Sequence, residues 1–314
     1  MCISRTLDTS VIIPAYNASL WVGRAIESIL QQTVRVREII VIDDGSTDGT
    51  GKVVQQYAPH VHYIYQENLG VAAAWNRGVS AATGEWVGFL GADDEWLPRK
   101  LEVQLRGLCK QPSMLWCMCN VEIVSGSVKH LYPTMIEQAQ EVDMFGSTVG
   151  NMWLHMGALI VHRLAVERIG GFDTTLRTGE DLDWCWRLGM RYPKGVYVPE
   201  AGYRYYTDTP GSLTKVGSDR NHVIDMLCRN IVRARTCDVQ NDSGDRYLRH
   251  VAISYLYRRA AREVHFSAEC ADRLTRVAGC GRLSQAVCKG LCLLPSKWAQ
   301  KVADMLVEVH EKYV

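Results

Sequence analysis

Apolar residues in the first 110 positions fall into short blocks separated by longer segments of mixed polarity. The blocks at 10–13, 38–42, 62–66 and 86–90 are too short for buried helices and carry Val, Ile, Tyr and Phe, which predicts strands. Segments 20–31, 50–57, 71–82 and 99–109 repeat their apolar positions at helical spacing. The third opens after Gly70, and the fourth follows Pro98, a residue that suits a first helical turn. Strand and helix alternating in this way predict an α/β fold with a mostly parallel sheet and helical crossovers.

After Met114 the pattern weakens. A strand is expected over 115–121, then a loop-rich stretch containing Gly126, Pro133 and Gly146. Residues 144–161 lack Asp, Glu, Lys and Arg, but Gly146, Ser147, Asn151, His155 and Gly157 interrupt them, which predicts buried strand and loop rather than a membrane span. A helix is expected over 164–169, a turn at Gly170-Gly171-Phe172-Asp173, and a helix over 182–190 directly after Glu180-Asp181. From Arg220 the apolar spacing is helical throughout, with turns near Asp242-Ser243-Gly244 and Leu294-Pro295-Ser296. The expected domains are 1–219, the α/β part, and 220–314, a helical C-terminal region.

Composition adds little to this outline. Apolar content of 47% and charged content of 22% are globular values, and a net charge of +1 gives no nucleic-acid signal. Eleven cysteines, an odd count irregularly spaced in a chain of 314 residues, read as reduced thiols of a cytoplasmic protein. Cys270, Cys280, Cys288, Cys292 and His265 lack the C-x-x-C spacing of a zinc site and read as buried helical residues. No signal-peptide core is seen near Met1. The near-neutral total hides an asymmetry: residues 229–312 hold 15 Lys/Arg against 9 Asp/Glu. With Leu291, Leu293, Leu294 and Trp298 nearby, this excess suits peripheral docking at the inner face of the cell membrane. Covering the sheet or forming a homodimer contact is the competing account.

The chemistry is concentrated in acid pairs. Ile39-Ile40-Val41-Ile42 ends in Asp43-Asp44, and 86–90 runs through Gly91-Ala92 into Asp93-Asp94. Ligands of open α/β sheets bind outside the carboxyl ends of the strands, so both pairs should share one rim with Glu180-Asp181 as a third. Gathered carboxylates suit a hard cation carrying a phosphate, with one acid left for proton transfer. Capped turns are the structural alternative for Asp43-Asp44 and Asp93-Asp94, and a stabilised helix start is the alternative for Glu180-Asp181.

Taken in order, Val11-Ile12-Ile13-Pro14-Ala15-Tyr16-Asn17, Asp43-Asp44-Gly45-Ser46-Thr47-Asp48-Gly49-Thr50, Ala92-Asp93-Asp94 and Gly179-Glu180-Asp181 with Trp186-Arg187 resemble the family 2 inverting glycosyltransferases. The resemblance spans roughly 8–215 and implies a GT-A type, Rossmann-like sheet with flanking helices, followed here by the C-terminal helical extension. It implies that Asp44 faces the nucleotide base, with Pro14, Ala15, Tyr16 and Asn76 also on the donor side. Asp94 would ligate a divalent metal (Mn or Mg), Asp93 would reach the ribose or donor sugar, and Asp181 would be the base. Because a carboxylate only accepts hydrogen bonds, Asp44 favours a base with an imide-type N–H, meaning uracil, thymine or guanine rather than cytosine or adenine; of these a UDP-sugar is the expected donor. Glu180, Trp184, Trp186 and Tyr206 are candidate acceptor or sugar contacts. The expected acceptor is a hydroxyl of a glycan or lipid-linked glycan, as in polysaccharide biosynthesis.

Two departures stand out. Trp75 occupies a position where many family members carry an arginine, so a cationic contact to the nucleotide is either absent or made by Arg77. No histidine lies between His162 and His222, where the family often has one near the metal or diphosphate, leaving that role to Tyr206, to Asp208 or to no residue. A sugar nucleotidyltransferase is the nearest rival, but no basic residue precedes Arg24 after the first strand. A non-catalytic nucleotide-sugar binder is the other, against which the intact Asp44, Asp94 and Asp181 speak.

Overall fold

The computed structural model describes residues 8–132, 136–144, 155–210 and 229–230. The chain divides into two compact units, 1–218 and 219–314. The helices, membrane contact and dimer contact expected after Arg220 lie outside the described residues, apart from helical Arg229 and Asn230.

The first unit is built on strands β1 (Thr9–Ala15), β2 (Glu38–Asp44), β3 (Val61–Gln66) and β4 (Trp86–Phe89), all parallel, in the order β3-β2-β1-β4. Helices α1 (Val22–Leu30), α2 (Thr50–Gln55) and α3 (Val71–Ala81) connect them. Each expected strand and helix of this half is present, with ends shifted by one or two residues. The apolar runs are continuous because the strands are buried on both faces: Val11, Ile12, Ile13, Ile40, Val41 and Ile42 are wholly enclosed. α3 packs on β1 and β2, and a Cβ at Gly78 would collide with Ile12. The glycine therefore sets how closely this helix approaches the sheet.

Beyond β4 come β5 (Glu95–Trp96), α4 (Lys100–Lys110), β6 (Trp116–Ser125), β7 (Val128–Leu131), β8 (Gln140–Asp143), a 3-10 turn at Met156–Ala158, β9 (Leu159–His162), α5 (Arg163–Ile169), α6 (Glu180–Arg191) and β10 (Lys194–Tyr206). The sheet continues as β4-β9-β6-β10-β5, with β7 on β6 and β8 on β10. β9 runs antiparallel between β4 and β6, so the segment expected as buried strand and loop supplies a central strand. The strand expected to end near 121 continues to Ser125 and turns at Gly126 (φ 56°) into β7, where a loop was expected. α6 begins at Glu180 rather than after it, which puts both acids inside its first turn.

β10 carries no simple strand signature, because Pro199, Glu200 and Gly202 interrupt it. It pairs with β6 all the same, with register shifts between Val198 and Ala201 and again between Ala201 and Tyr203. A bulge absorbs residues that cannot continue a regular ladder and re-aims those that follow. Here the re-aimed residues are Tyr203 to Tyr206.

α4 is tied to this half by a buried polar chain. The Lys100 ammonium donates to Gln104 Oε1 (2.7 Å) and lies 4.2 Å from the Trp96 ring centre. Gln104 Nε2 donates to the carbonyls of Cys117 (2.9 Å) and Ala158 (3.0 Å). Burial pushes the Lys100 amine down to about 8, against a small upward pull from the Cys119 and Cys117 thiols. Between pH 8 and about 10.5 the unfolded chain therefore binds a proton that the native state lacks, so this residue's contribution to stability rises with pH. In Lys100→Met that contribution is gone. The stability of wild type relative to this variant should rise by up to about 3 kcal/mol from pH 7 to pH 10.5, at 1.36 kcal/mol per unit. Denaturant unfolding of both proteins across this range checks it, and a constant difference would refute the assignment.

Candidate active site

β1, β2 and β4 end on one edge of the sheet. Ala15 lies opposite Asp43, and Ile12 opposite Phe89. β4 lies on the side of β1 away from β2, which makes the ends of β1 and β4 the switch point at which open α/β sheets bind ligands. Pro14 and the buried Ala15 close β1, and Tyr16 stands 55% exposed just beyond it. Asn17 takes a left-handed conformation (φ 48°), which asparagine tolerates better than most residues. Its N–H donates to Ser46 Oγ (2.9 Å) and its Oδ1 accepts from the Thr47 N–H (2.9 Å), stitching the segment after β1 to the one after β2.

The two acids of β2 have different tasks. Asp43 accepts from the Ser46 N–H (2.9 Å) and the Tyr63 hydroxyl (2.7 Å) and thus holds its own turn. Asp44 gathers the 66–70 loop: Oδ1 accepts from Gln66 Nε2 (2.7 Å) and the Leu69 N–H (2.9 Å), and Oδ2 from the Gly70 N–H (2.9 Å). Three of the roughly four acceptor sites of a carboxylate are taken, and one remains, on Oδ2.

Asp94 is 3% exposed. Its Oδ2 accepts from the Tyr203 hydroxyl and its Oδ1 from the Tyr206 N–H (3.0 Å). Burial raises this carboxyl well above its usual range, and the Asp93 charge raises it further, against the hydrogen bonds and Arg24. The two carboxylates are neighbours: a Cβ built on Gly91 would lie 2.9 Å from Asp94 Oδ2 and 3.2 Å from Asp93 Oδ1. Among the described residues neither acid has an ion pair. Arg24 binds the Asp93 carbonyl and the Glu95 carboxylate (3.1 Å), and its guanidinium lies 3.9 Å from the Tyr206 ring centre. The Tyr206 hydroxyl is on Glu95 (3.0 Å), and Asp208 accepts from Ser125 Oγ (3.1 Å), so both are engaged within the protein.

An enclosed carboxylate beside a second one, with its cation neighbours engaged elsewhere, fits a hard cation. Among the described residues no three His, Cys, Asp or Glu side chains converge as a ready cage. One or two carboxylates with the remaining positions left to phosphate and water is the arrangement Mg²⁺ takes in phosphate-handling sites.

Glu180 and Asp181 occupy the first turn of α6 after Gly179 (φ 79°). Asp181 Oδ1 accepts from the Leu182 N–H (2.8 Å). Burial raises both carboxyls, and the Asp181 charge adds to the rise at Glu180. α6 is anchored from below. Trp184, fully buried, stacks on Phe172 (5.1 Å) and meets Phe89 at the end of β4 edge-on (5.5 Å). Trp75 completes the cluster against Phe89 (5.3 Å) and Phe172 (5.9 Å). The indole in place of the family's arginine is thus core, and Arg77 is exposed on α3. Trp186 is 3% exposed, so neither candidate sugar-contacting indole shows a face to solvent. Arg187 bonds Asp183 (2.9 Å) and the carbonyls of Ile169 (2.8 Å) and Gly171 (2.7 Å), fixing the turn that precedes α6. Asn76 completes that clamp: its Nδ2 donates to the Phe172 carbonyl (2.9 Å) and its Oδ1 accepts from the Phe172 N–H (2.7 Å).

Sequence patterns missed Arg24, Gln66 and Tyr203. Each meets the acids across a gap in sequence that no motif spans; only the aromatic run at 203–206 hinted at one of them.

Residues 10–160 match the family described as glycosyl transferase family 2. This domain belongs to that family. A relative described as the uncharacterised glycosyltransferase YibD of Escherichia coli K12 is 30% identical over 221 residues, covering 65% of this chain and 62% of its own. The chain spans little more than half the length of several curated relatives that it matches. Among solved structures, residues 1–349 of S. aureus TarS in complex with UDP-GlcNAc superpose with a TM-score of 0.71 at 16% identity, over 98% of this chain and 91% of that one. The mannosyltransferase PcManGT of Pyrobaculum calidifontis, in complex with GDP-Man and Mn²⁺, gives 0.57 at 19% identity, over 98% and 88%. These likenesses establish the GT-A fold.

Asn76→Ala would leave the buried N–H and carbonyl of Phe172 without partners. It should lower unfolding free energy by about 1–3 kcal/mol in denaturant titration. A variant as stable as wild type would show that the turn does not depend on this amide.

Proposed function

We propose that the chain transfers a sugar, with inversion, from a UDP-sugar to a hydroxyl of a glycan or lipid-linked glycan. The observation that carries this is Asp94, an enclosed carboxylate at the carboxyl rim with Asp93 beside it and no ion pair among the described residues. A sugar diphosphate brings the complementary requirement, since its leaving group departs with negative charge. Asp94, with Asp93 adjoining, would hold a divalent cation, which would supply positive charge to stabilise that departure.

The remaining residues divide the work. Tyr16 offers an exposed ring for stacking on the base, beside Pro14 and Ala15. Asp44 has a single acceptor site left, which matches the single imide N–H of uracil better than the two adjacent donors of guanine. Asn76, expected on the donor side, has both amide atoms on the Phe172 backbone and holds the turn that leads to α6. Asp181 takes the proton from the acceptor hydroxyl as the new bond to the anomeric carbon forms and the bond to the diphosphate breaks. Its place at a helix start favours the ionised product of the preceding deprotonation, and its burial keeps it basic enough for the task. Glu180 adjoins it on the acceptor side.

Among the described residues no helix is long and apolar enough to cross a membrane.

A thermal-shift screen of UDP-, TDP- and GDP-sugars with and without Mn²⁺ tests the donor, because ligands that bind the native state raise the midpoint. Metal-dependent stabilisation by UDP-sugars, abolished by EDTA, is expected; a preference for GDP-sugars would overturn the reading of Asp44. Asp181→Asn should cut turnover by roughly 10²–10⁴-fold with donor affinity near wild type. In the wild type the acid limb of the rate profile should lie above the ordinary carboxylate range, and near-normal turnover in the variant would remove Asp181 from the mechanism.

A further inference from the structure

We propose that Tyr203 is a positioning residue for Asp94, holding the carboxylate in the orientation that accepts a divalent cation. The assignment rests on the metal-dependent reading above. Tyr203 lies in β10, wholly buried, opposite Trp96 of β5 and Val121 of β6. Its hydroxyl donates to Asp94 Oδ2, while the Tyr206 N–H, three residues along the same strand, donates to Oδ1 (3.0 Å). Both oxygens of the acid are thus oriented by one strand end, and each keeps a lone pair for a ligand.

The phenol is itself held from behind. The His155 ring lies 4.8 Å from its ring centre. A Cβ at residue 157 would overlap the Tyr203 ring, so the ring occupies space that exists because residue 157 is glycine. The Gly157 carbonyl accepts from Trp96 Nε1 (3.0 Å), which fixes that glycine against β5. The bulge at 199–202 sets the register that carries Tyr203 to Asp94. A partner that fixes a ligating carboxylate in this way is typically worth 10- to 100-fold in metal affinity.

Mn²⁺ titration of the full chain, followed by the electron paramagnetic resonance signal of free Mn²⁺, tests this directly and needs no turnover. Tyr203→Phe keeps the ring and removes the hydroxyl; its Mn²⁺ affinity should fall roughly 10- to 100-fold. Near-UV circular dichroism on the same sample confirms that it is folded. Tyr63→Phe removes the same kind of phenol-to-carboxylate bond from Asp43, and its Mn²⁺ affinity should stay within about twofold of wild type. As a second measurement, 3-fluorotyrosine placed only at position 203 should give a fluorine resonance that shifts when Mg²⁺ is added. Wild-type binding of Mn²⁺ that is unaltered in folded Tyr203→Phe, or a resonance at 203 that ignores Mg²⁺ while the protein binds it, overturns this assignment alone. A wild type that binds no Mn²⁺ overturns the metal-dependent reading and this assignment with it.

Discussion

An enclosed carboxylate is the constraint around which the rim is organised. Taking Asp94 out of water carries a penalty of several kcal/mol for the ionised group after relaxation, and Asp93 beside it adds repulsion. The fold offsets part of this with the Tyr203 hydroxyl and the Tyr206 N–H, and it places Arg24 close without pairing it to either acid. What remains is a local deficit of positive charge at the carboxyl rim of the sheet. Under the proposed function, a cation and its phosphate ligands would fill that deficit.

Around this acid the molecule separates two jobs. One group of polar side chains builds loops: Asp43 holds its turn, Asp208 holds the β6–β7 turn, and Asn76 and Arg187 hold the segment before α6. The other group is left with capacity to spare. Asp44 keeps an acceptor site, Asp94 keeps lone pairs, and Tyr16 keeps an open face. The aromatic cluster of Trp75, Phe89, Phe172 and Trp184 joins these regions mechanically. It ties α3, the end of β4, the 170–173 turn and α6 into one packed body, so the first turn of α6 is set by the same strand end that leads to Asp93-Asp94. Close-packed aromatic contacts transmit position with little slack.

The β1–β4 half was legible along the chain because its signals are local. A parallel strand buried on both faces must be apolar throughout, and polar residues can appear only where it ends, so the run to Ile42 announces both β2 and the acids beyond it. The rest obeys non-local rules. β9 is antiparallel in the middle of a parallel sheet, and β10 contains a proline and two register shifts; neither leaves a periodic trace. Trp184 illustrates the limit at the level of one side chain. An indole one turn from a proposed sugar site and an indole in the core have the same sequence context, and burial by Phe172 and Phe89 decides between them.

The sequence by itself therefore determined the α/β plan of the first half, the order of the acids and the shared rim on which Asp44, Asp93 and Asp94 stand. It did so because strand polarity and chain direction fix where a strand's carboxyl end must be. Only the tertiary structure decided how much freedom each acid retains. The partners that consume or spare a carboxylate's lone pairs come from far along the chain, as with Tyr203 at Asp94 across 109 positions. Hydrogen-bond capacity is spent in space, and spacing along a chain carries no record of it.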